Sequence, residues 1–432
     1  MAGEPSALEI QNREEMSIKK NVYFVLAVLL LCSNLAFAGG RKEAPEEETV
    51  TIQFVSWMVA EESGGEEWLP ERIGVWAQDH PGVQVEVTPL GWEDTSDKIT
   101  LQIRRGNAPD IFTIESLWLG KFGKMPGGVV DLYEFMDDAF ISTLVPACRG
   151  GEIDGKMAAL VWNPNPWVLV YNRNLVRRAG VSGNPKDFSD FLNQVEAVSS
   201  LGPEIFGFGM MLGVDEYAAD TFHIILWQTG GDLLDAGGRP VVTSPGTMRA
   251  IGLVKDCVDG GMIPFGEEVR NMRTMFARGM VGFFFEGPWI AGVFDGEGMS
   301  RDEWDVAPWP GDVQPASYML CMSQQSEHKE LAWDLMKFIV TDEVTTKEYF
   351  KRTGLMPVVA AQYRDTVYDN HYSKTFLDQM SRLRNPNVWG SQKKFEIEVA
   401  FMEEIQKILL GRGEVPEVLT RLEYELEYII AE

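Results

Sequence analysis

The sequence predicts an α/β protein of two lobes, and three observations carry that expectation. The chain has 432 residues, more than a single hydrophobic core usually serves, so two packed bodies are expected. Its first folded stretch alternates β-rich runs with amphipathic segments in the order β-α-β-α-β, which implies a largely parallel sheet with helices on both faces. From Trp167 onward the α/β alternation starts again.

The elements follow in order. Residues 50 to 56 (VTIQFVS) alternate apolar and polar, while 83 to 87 (VQVEV) and 111 to 114 (IFTI) are short β-rich runs bounded by Pro or Gly, so all three are strands. Between them Glu66 to Asp79 sets Trp68, Ile73 and Trp76 at helical spacing, and Glu93 to Arg105 does so with Ile99 and Ile103. His80-Pro81-Gly82 stops the first of these helices. The second block opens with a strand over Trp167 to Tyr171 and a helix from Arg173 to Ala179 that ends at Gly180. Helices follow over Phe188 to Ser199 and Pro245 to Asp259; Leu331 to Phe350 and Lys393 to Leu410 are helical in pattern. The chain closes on an amphipathic segment, Val418 to Ile430, and shows no repeat of solenoid period.

The N-terminus is an address. From Met16 it runs through Lys19 and Lys20, an apolar stretch from Val22 to Cys32, and Ala36-Phe37-Ala38 before Gly39, which predicts a signal peptide over 16 to 38. The apolar stretch is shorter than the roughly 20 residues a membrane-spanning helix needs. Glu4, Glu9, Glu14 and Glu15 suit a leader poorly, which places the expected translation start at Met16. Cys32 raises bacterial lipidation, but Leu31 stands where such signals prefer a small residue, so the unlipidated form is favoured. Residues 39 to 49 form a polar tether. An exported chain, periplasmic or at the cell surface, is expected.

Composition narrows the function by exclusion. With 45% hydrophobic and 24% charged residues the chain should fold, and 65 acidic against 38 basic residues, net −27, would repel nucleic acid and anionic lipid. No CxxC pair is present, so Cys148, Cys257 and Cys321 are expected to be buried thiols. The chain lacks GxSxG, HExxH, a P-loop and a Rossmann fingerprint, and has four histidines. Neither a metal, a cofactor nor an enzyme is expected.

Several short motifs occur in a telling order. They are His80-Pro81-Gly82-Val83, Gly106-Asn107-Ala108-Pro109-Asp110-Ile111, Trp167 to Asn172 with Ala179-Gly180-Val181, Phe276-Ala277-Arg278-Gly279-Met280, Phe285-Glu286-Gly287-Pro288-Trp289, Asp305-Val306-Ala307-Pro308, and Ala332-Trp333 to Phe338. As an ordered set they resemble the family 1 extracellular solute-binding proteins, which include the maltose-binding-protein-like sugar receptors of ABC importers, over nearly all of residues 50 to 430. The resemblance implies a two-lobed periplasmic-binding-protein fold of type II whose chain crosses between lobes more than once. A carbohydrate would lie in the cleft, the lobes would close by a hinge, and a monomeric receptor would deliver its load to the importer's permease subunits in the membrane. Lobe one then takes 50–163 plus 316–366 and lobe two 167–312 plus 370–432. Asn163-Pro164-Asn165-Pro166 becomes the first hinge, although these prolines alone would read as an ordinary loop.

Sugars present apolar C–H faces and a rim of hydroxyls, so their sites combine flat aromatic platforms with carboxylates and amides. Trp68, Trp76 and Trp333 sit at helical core spacing and are assigned to packing. Trp289 follows Gly287-Pro288 after the apolar run Val281 to Phe285, where a strand-end loop would face the cleft; in the resembling receptors this Trp stacks on the ligand. Trp57 at the end of the first strand, Trp92 after Pro89-Leu90-Gly91, and Trp389 within Asn385 to Gly390 are further platforms. Glu115, Asn165 and Glu286 with Gly287 are the polar candidates, while Asp110 is assigned to its turn. Asn165 departs from the carboxylate that maltose-type receptors tend to carry at the crossover, which argues against maltose itself. No Arg or Lys stands beside Trp57, Glu115 or Glu286 in the sequence, which favours a neutral sugar or oligosaccharide over glycerol-3-phosphate or another anionic solute; a polyol or glycerol-phosphate-type solute on the same fold is the alternative. A glycoside hydrolase using Glu115 and Glu286 as paired carboxylates is the enzymatic alternative; their expected placement on opposite lobes counts against it. An exported module binding another protein through an aromatic surface is the third.

Overall fold

The structure is a computed structural model that describes residues 49–60 and 65–431; the expected leader lies outside them, as does the tether up to residue 48. Two sheets organise the body. Their strands are β1 (Val50–Ser56), β2 (Val83–Pro89), β3 (Ile111–Glu115), β4 (Leu160–Asn163), β5 (Val168–Asn172), β6 (Phe206–Gly209), β7 (Val281–Glu286), β8 (Trp304–Ala307) and β9 (Tyr318–Met322). The first sheet has the order β2-β1-β3-β9-β4 and the second β8-β5-β7-β6.

The largely parallel sheet expected from the sequence is realised only in part. β1 runs parallel to β2 and β3, but β9 is antiparallel to both β3 and β4. In the second sheet β5 is antiparallel to β7 and β8, and β6 is parallel to β7. The reason is the chain's route. It leaves the first sheet along β4, builds the second, and returns along β9 beside the strand by which it left, so these neighbours must oppose each other.

Among the described residues the α-helices longer than six residues are α1 (Gly65–Gln78), α2 (Trp92–Arg105), α3 (Arg173–Ala179), α4 (Phe188–Ser199), α5 (Glu216–Gln228), α6 (Pro245–Asp259), α7 (Val269–Ala277), α8 (Ile290–Gly296), α9 (Lys329–Thr341), α10 (Glu343–Thr353), α11 (His371–Gln379), α12 (Lys394–Leu409) and α13 (Val415–Ala431). α2 buries Thr95, Ile99, Thr100 and Ile103 along one stripe and stops at Gly106, whose φ of 76° is the left-handed conformation glycine adopts without strain. α3 starts where the Asn172 side chain accepts from the Asn174 and Leu175 amides. The single helical run expected from Leu331 to Phe350 is broken at Asp342, which leaves helical geometry and accepts from the Thr345 amide as the cap of α10. Arg72 of α1 holds the same carboxylate at 2.9 Å.

The core takes Trp68 and Trp76, as assigned: Trp68 stacks on Tyr349 with centroids 5.0 Å apart, and the Trp76 indole donates to Asp334 at 2.8 Å. Trp333 is half-buried against Phe140. Cys148, Cys257 and Cys321 are buried free thiols. Asp110 serves structure across elements rather than within its turn: it accepts from the Gln53 amide at 2.8 Å and from the Ser326 hydroxyl, tying β1 to the loop after β9. Among the described residues, no helix is long and apolar enough to cross a membrane.

Candidate functional site

The site grows from the antiparallel run between the two crossing segments. Asn163 lies opposite Tyr318 and Pro166 opposite Pro315. That register sets Asn165 opposite Ala316, whose amide donates to the Asn165 carbonyl at 2.7 Å, and Trp167 opposite Gln314. Side chains alternate across an extended chain. Asn163, Asn165 and Trp167 therefore share a face with Gln314, Ala316 and Tyr318, and the intervening prolines turn away. Glu115, paired with Tyr318 from the other side, joins the same face.

Aromatic rings converge on it. Trp289 lies over Tyr318, centroids 6.0 Å apart and planes within 12° of parallel, and meets the Trp167 ring edge-on at 5.9 Å. Trp167 in turn touches Tyr217 of α5 at 5.0 Å. On the other side Tyr318 meets Trp57 at 5.3 Å, Trp57 meets Trp118 at 5.6 Å, and Trp118 meets Trp92 at 5.2 Å. The rings thus form a continuous chain from residues bordering the first sheet to residues bordering the second. Gly287 makes the Trp289 position possible: a Cβ there would stand 2.2 Å from the indole, so no side chain is tolerated beneath the ring.

Two buried carboxylates each hold one of these indoles. Trp92 donates from Nε1 to Glu115 at 2.7 Å, and Trp289 donates from Nε1 to Glu286 at 2.7 Å. Glu115 is 5% and Glu286 0% exposed, so each indole is fixed by a charge-assisted bond away from solvent. Sequence distance concealed a third partner. Arg273 on α7 reaches Glu286 from 13 residues upstream and pairs with it, which corrects the expectation that no cation stands beside Glu286. Burial opposes the Arg273 charge, but Glu286 and Tyr217 offset it and hold its pKa above the ordinary value. Burial, and next to it the Glu286 charge, push the Tyr217 phenol well above its usual range.

The structure brings Trp57, Trp92, Glu115, Asn165, Glu286, Gly287 and Trp289 together and sets Trp389 apart. The Trp389 indole donates to Asp220 of α5 at 2.8 Å, and among the described residues its ring touches none of the rings above. Its backbone instead meets the segment after β3: a Cβ on Gly120 would lie 2.2 Å from the Trp389 carbonyl, and Lys124 donates to the Gly390 carbonyl at 2.7 Å. Beneath Trp389, metal-ligating types gather: one atom each from Asp220, His223 and Glu398 lie within 4.8 Å of one another. Lys394 pairs with Asp220 at 3.5 Å and with Glu398, so an ammonium already supplies the positive charge there. Burial lowers the His223 pKa against the pull of Asp232 and Asp220.

Sequence reasoning missed Arg273, Tyr217, Trp118, Trp167, Gln314 and Tyr318. The alternation through Trp167 could have drawn attention to that ring; the others become neighbours only once the crossings pair.

The family described as bacterial extracellular solute-binding protein matches residues 58–346. The chain belongs to that family. Among curated relatives of this solute-binding protein, one from Brucella abortus (strain 2308), itself named only as a binding protein, is 24% identical over 359 residues, which span 79% of this chain and 84% of that one. A maltotriose-binding protein of Pyrococcus abyssi is 22% identical over 289 residues, 64% of this chain and 60% of the other. The fold of the solute-binding protein is similar to that of the sugar-binding protein MalE from Xanthomonas citri, with a TM-score of 0.76 at 19% identity, covering 88% of this chain and 98% of that one. The two-lobed periplasmic-binding fold is thereby established.

Proposed function

We propose that this chain is the exported receptor of an ABC importer, acting by binding rather than by catalysis, and that it takes a neutral sugar or oligosaccharide between its two sheets. The observation that carries the reading is the Trp289 platform, held flat by Glu286 and Gly287 opposite Tyr318. A pyranose ring presents an apolar face to such a surface while its hydroxyls reach the surrounding carboxylates and amides. In this reading Trp57, Trp92, Glu115, Asn165, Glu286, Gly287 and Trp289 contact the ligand, and Trp389 frames the cleft rim. The lobes are 50–163 plus 316–366 and 167–312 plus 370–432, hinged at the paired crossings, and the closed, loaded monomer engages the permease subunits. The relatives named for sugars support the ligand class. Arg273 does not turn the cleft toward anions, because Glu286 already matches its charge.

The test is to titrate residues 41–432 with glucose, maltose, maltotriose, cellobiose, mannitol and glycerol-3-phosphate, following melting temperature and tryptophan fluorescence. A ligand that binds the native state raises stability by mass action. One neutral sugar should raise the melting temperature; a response to glycerol-3-phosphate alone would move the assignment to anionic solutes, and slow breakdown of an added glycan would move it to a hydrolase.

A further inference from the structure

Three buried amide side chains sit where the two crossing segments pair, and each keeps polar atoms without a hydrogen-bond partner. Gln314 is fully buried, and both its Oε1 and its Nε2 lack partners. Asn163 and Asn165, 2% and 0% exposed, lack partners at Oδ1. Their Nδ2 groups are committed to backbone: Asn163 donates to the Met356 carbonyl at 3.0 Å and Asn165 to the Ala316 carbonyl at 3.2 Å. Those two bonds fix each amide's orientation and leave its oxygen as the open acceptor.

A buried polar atom without a partner is disfavoured and uncommon in folded proteins. Four such atoms on adjacent residues of one extended face, the face that carries Tyr318 and Trp167 and meets Trp289, form a pattern with a direction. We infer that Gln314, with Asn163 and Asn165, is the floor of the binding site and reads adjacent hydroxyls of an uncharged ligand, with Gln314 as the residue that determines specificity.

The chemistry follows from the donor and acceptor inventory. A hydroxyl both donates and accepts, so one ligand hydroxyl can donate to an Asn Oδ1 while its neighbour exchanges bonds with the Gln314 amide. A vicinal diol on a sugar ring provides that pair. A carboxylate or phosphate at the same place would meet three neutral amides, with Glu115 on the same face and Arg273 already paired with Glu286, which disfavours it. The inference rests on the sugar-receptor reading above and adds which part of the molecule discriminates.

Its test compares wild type with Gln314→Met and Gln314→Glu, using the neutral sugar from the panel above that raises the melting temperature most. Gln314→Met keeps length and removes both polar atoms; Gln314→Glu keeps shape and removes the donor. Each should bind that sugar about ten- to a hundred-fold more weakly by calorimetry. The unliganded Gln314→Met protein should melt at or above the wild-type temperature, since no amide is left unsatisfied. Equal affinity for wild type and both variants would overturn the inference and leave the receptor reading intact. So would a loss of affinity matched by an equal loss of unliganded stability, because Gln314 would then serve the fold. If Gln314→Met does not fold, Gln314→Glu alone decides. A wild type that binds no neutral sugar would overturn the receptor reading itself.

Discussion

Gly287 is a tight residue-level constraint on the Trp289 ring, because the indole folds back over its Cα at a distance no Cβ could share. Gly287→Ala should therefore weaken sugar binding much as Trp289→Ala does, although it keeps the indole. For Trp289→Ala the loss should be about 2 kcal/mol or more, the scale of a central aromatic contact, with the far-ultraviolet circular dichroism unchanged. Calorimetry on both variants checks this, and a Gly287→Ala protein with wild-type affinity would show that the ring's position does not matter. His223 carries a second prediction. Burial lowers its pKa from 6.5 despite Asp232 and Asp220, while Lys394 adds to the lowering. The folded state thus binds this proton less readily than the unfolded state. Its effect is absent well above pH 6.5, and stability is lost as pH falls from there toward the depressed folded pKa. Over that window His223→Gln should lose less melting temperature than wild type; an identical slope would assign the acid sensitivity to the neighbouring carboxylates.

At the scale of elements, the break between α9 and α10 depends on one side chain. Asp342 caps α10 through the Thr345 amide and receives the Arg72 guanidinium from α1. Asp342→Ala should lower stability by about 1 to 2 kcal/mol, read as a shift of the denaturation midpoint, and Asp342→Asn should recover part of it by keeping a cap acceptor. This break also shows where sequence reasoning stops. Leu331 to Phe350 reads as one helix because apolar spacing continues across Asp342, and the rigid boundary comes from Arg72, some 270 positions away. α5 is hidden for the opposite reason: Ala218 to Leu226 is buried all round although it carries Asp220, Thr221 and His223, so its polar residues do not mark a solvent face. Strands with alternation, such as β1, and helices with a clear stop, such as α1 and α2, were legible in order and type. The end of β7 at Glu286 was legible because Gly-Pro stops the apolar run there, although Gly287 and Pro288 are buried and only Trp289 keeps part of its surface. Arg273, Tyr217 and Gln314 carry no local signal at all, since each becomes part of the site only through pairing between distant segments.

At the scale of the whole molecule, the segment after β3 and the segment around Trp389 touch directly through Lys124, which donates to the Gly390 carbonyl, and through Gly120. If closure holds the ligand, this contact belongs to the closed form, so Lys124→Met should raise the sugar's dissociation rate by about three- to ten-fold with little change in association, measured by stopped-flow fluorescence. An unchanged dissociation rate would confine Lys124 to its surface pairing with Asp154. The route of the chain has a consequence of another kind. β9 lies between β3 and β4 in the first sheet, yet it is made only after the whole second sheet has been made. A nascent chain ending near residue 315 would expose one flank of β3 and leave β4 with no neighbour to bond to. The sheet that is begun first is therefore completed after the one begun second, and β4 stays unpaired in it until the ribosome has passed Met322.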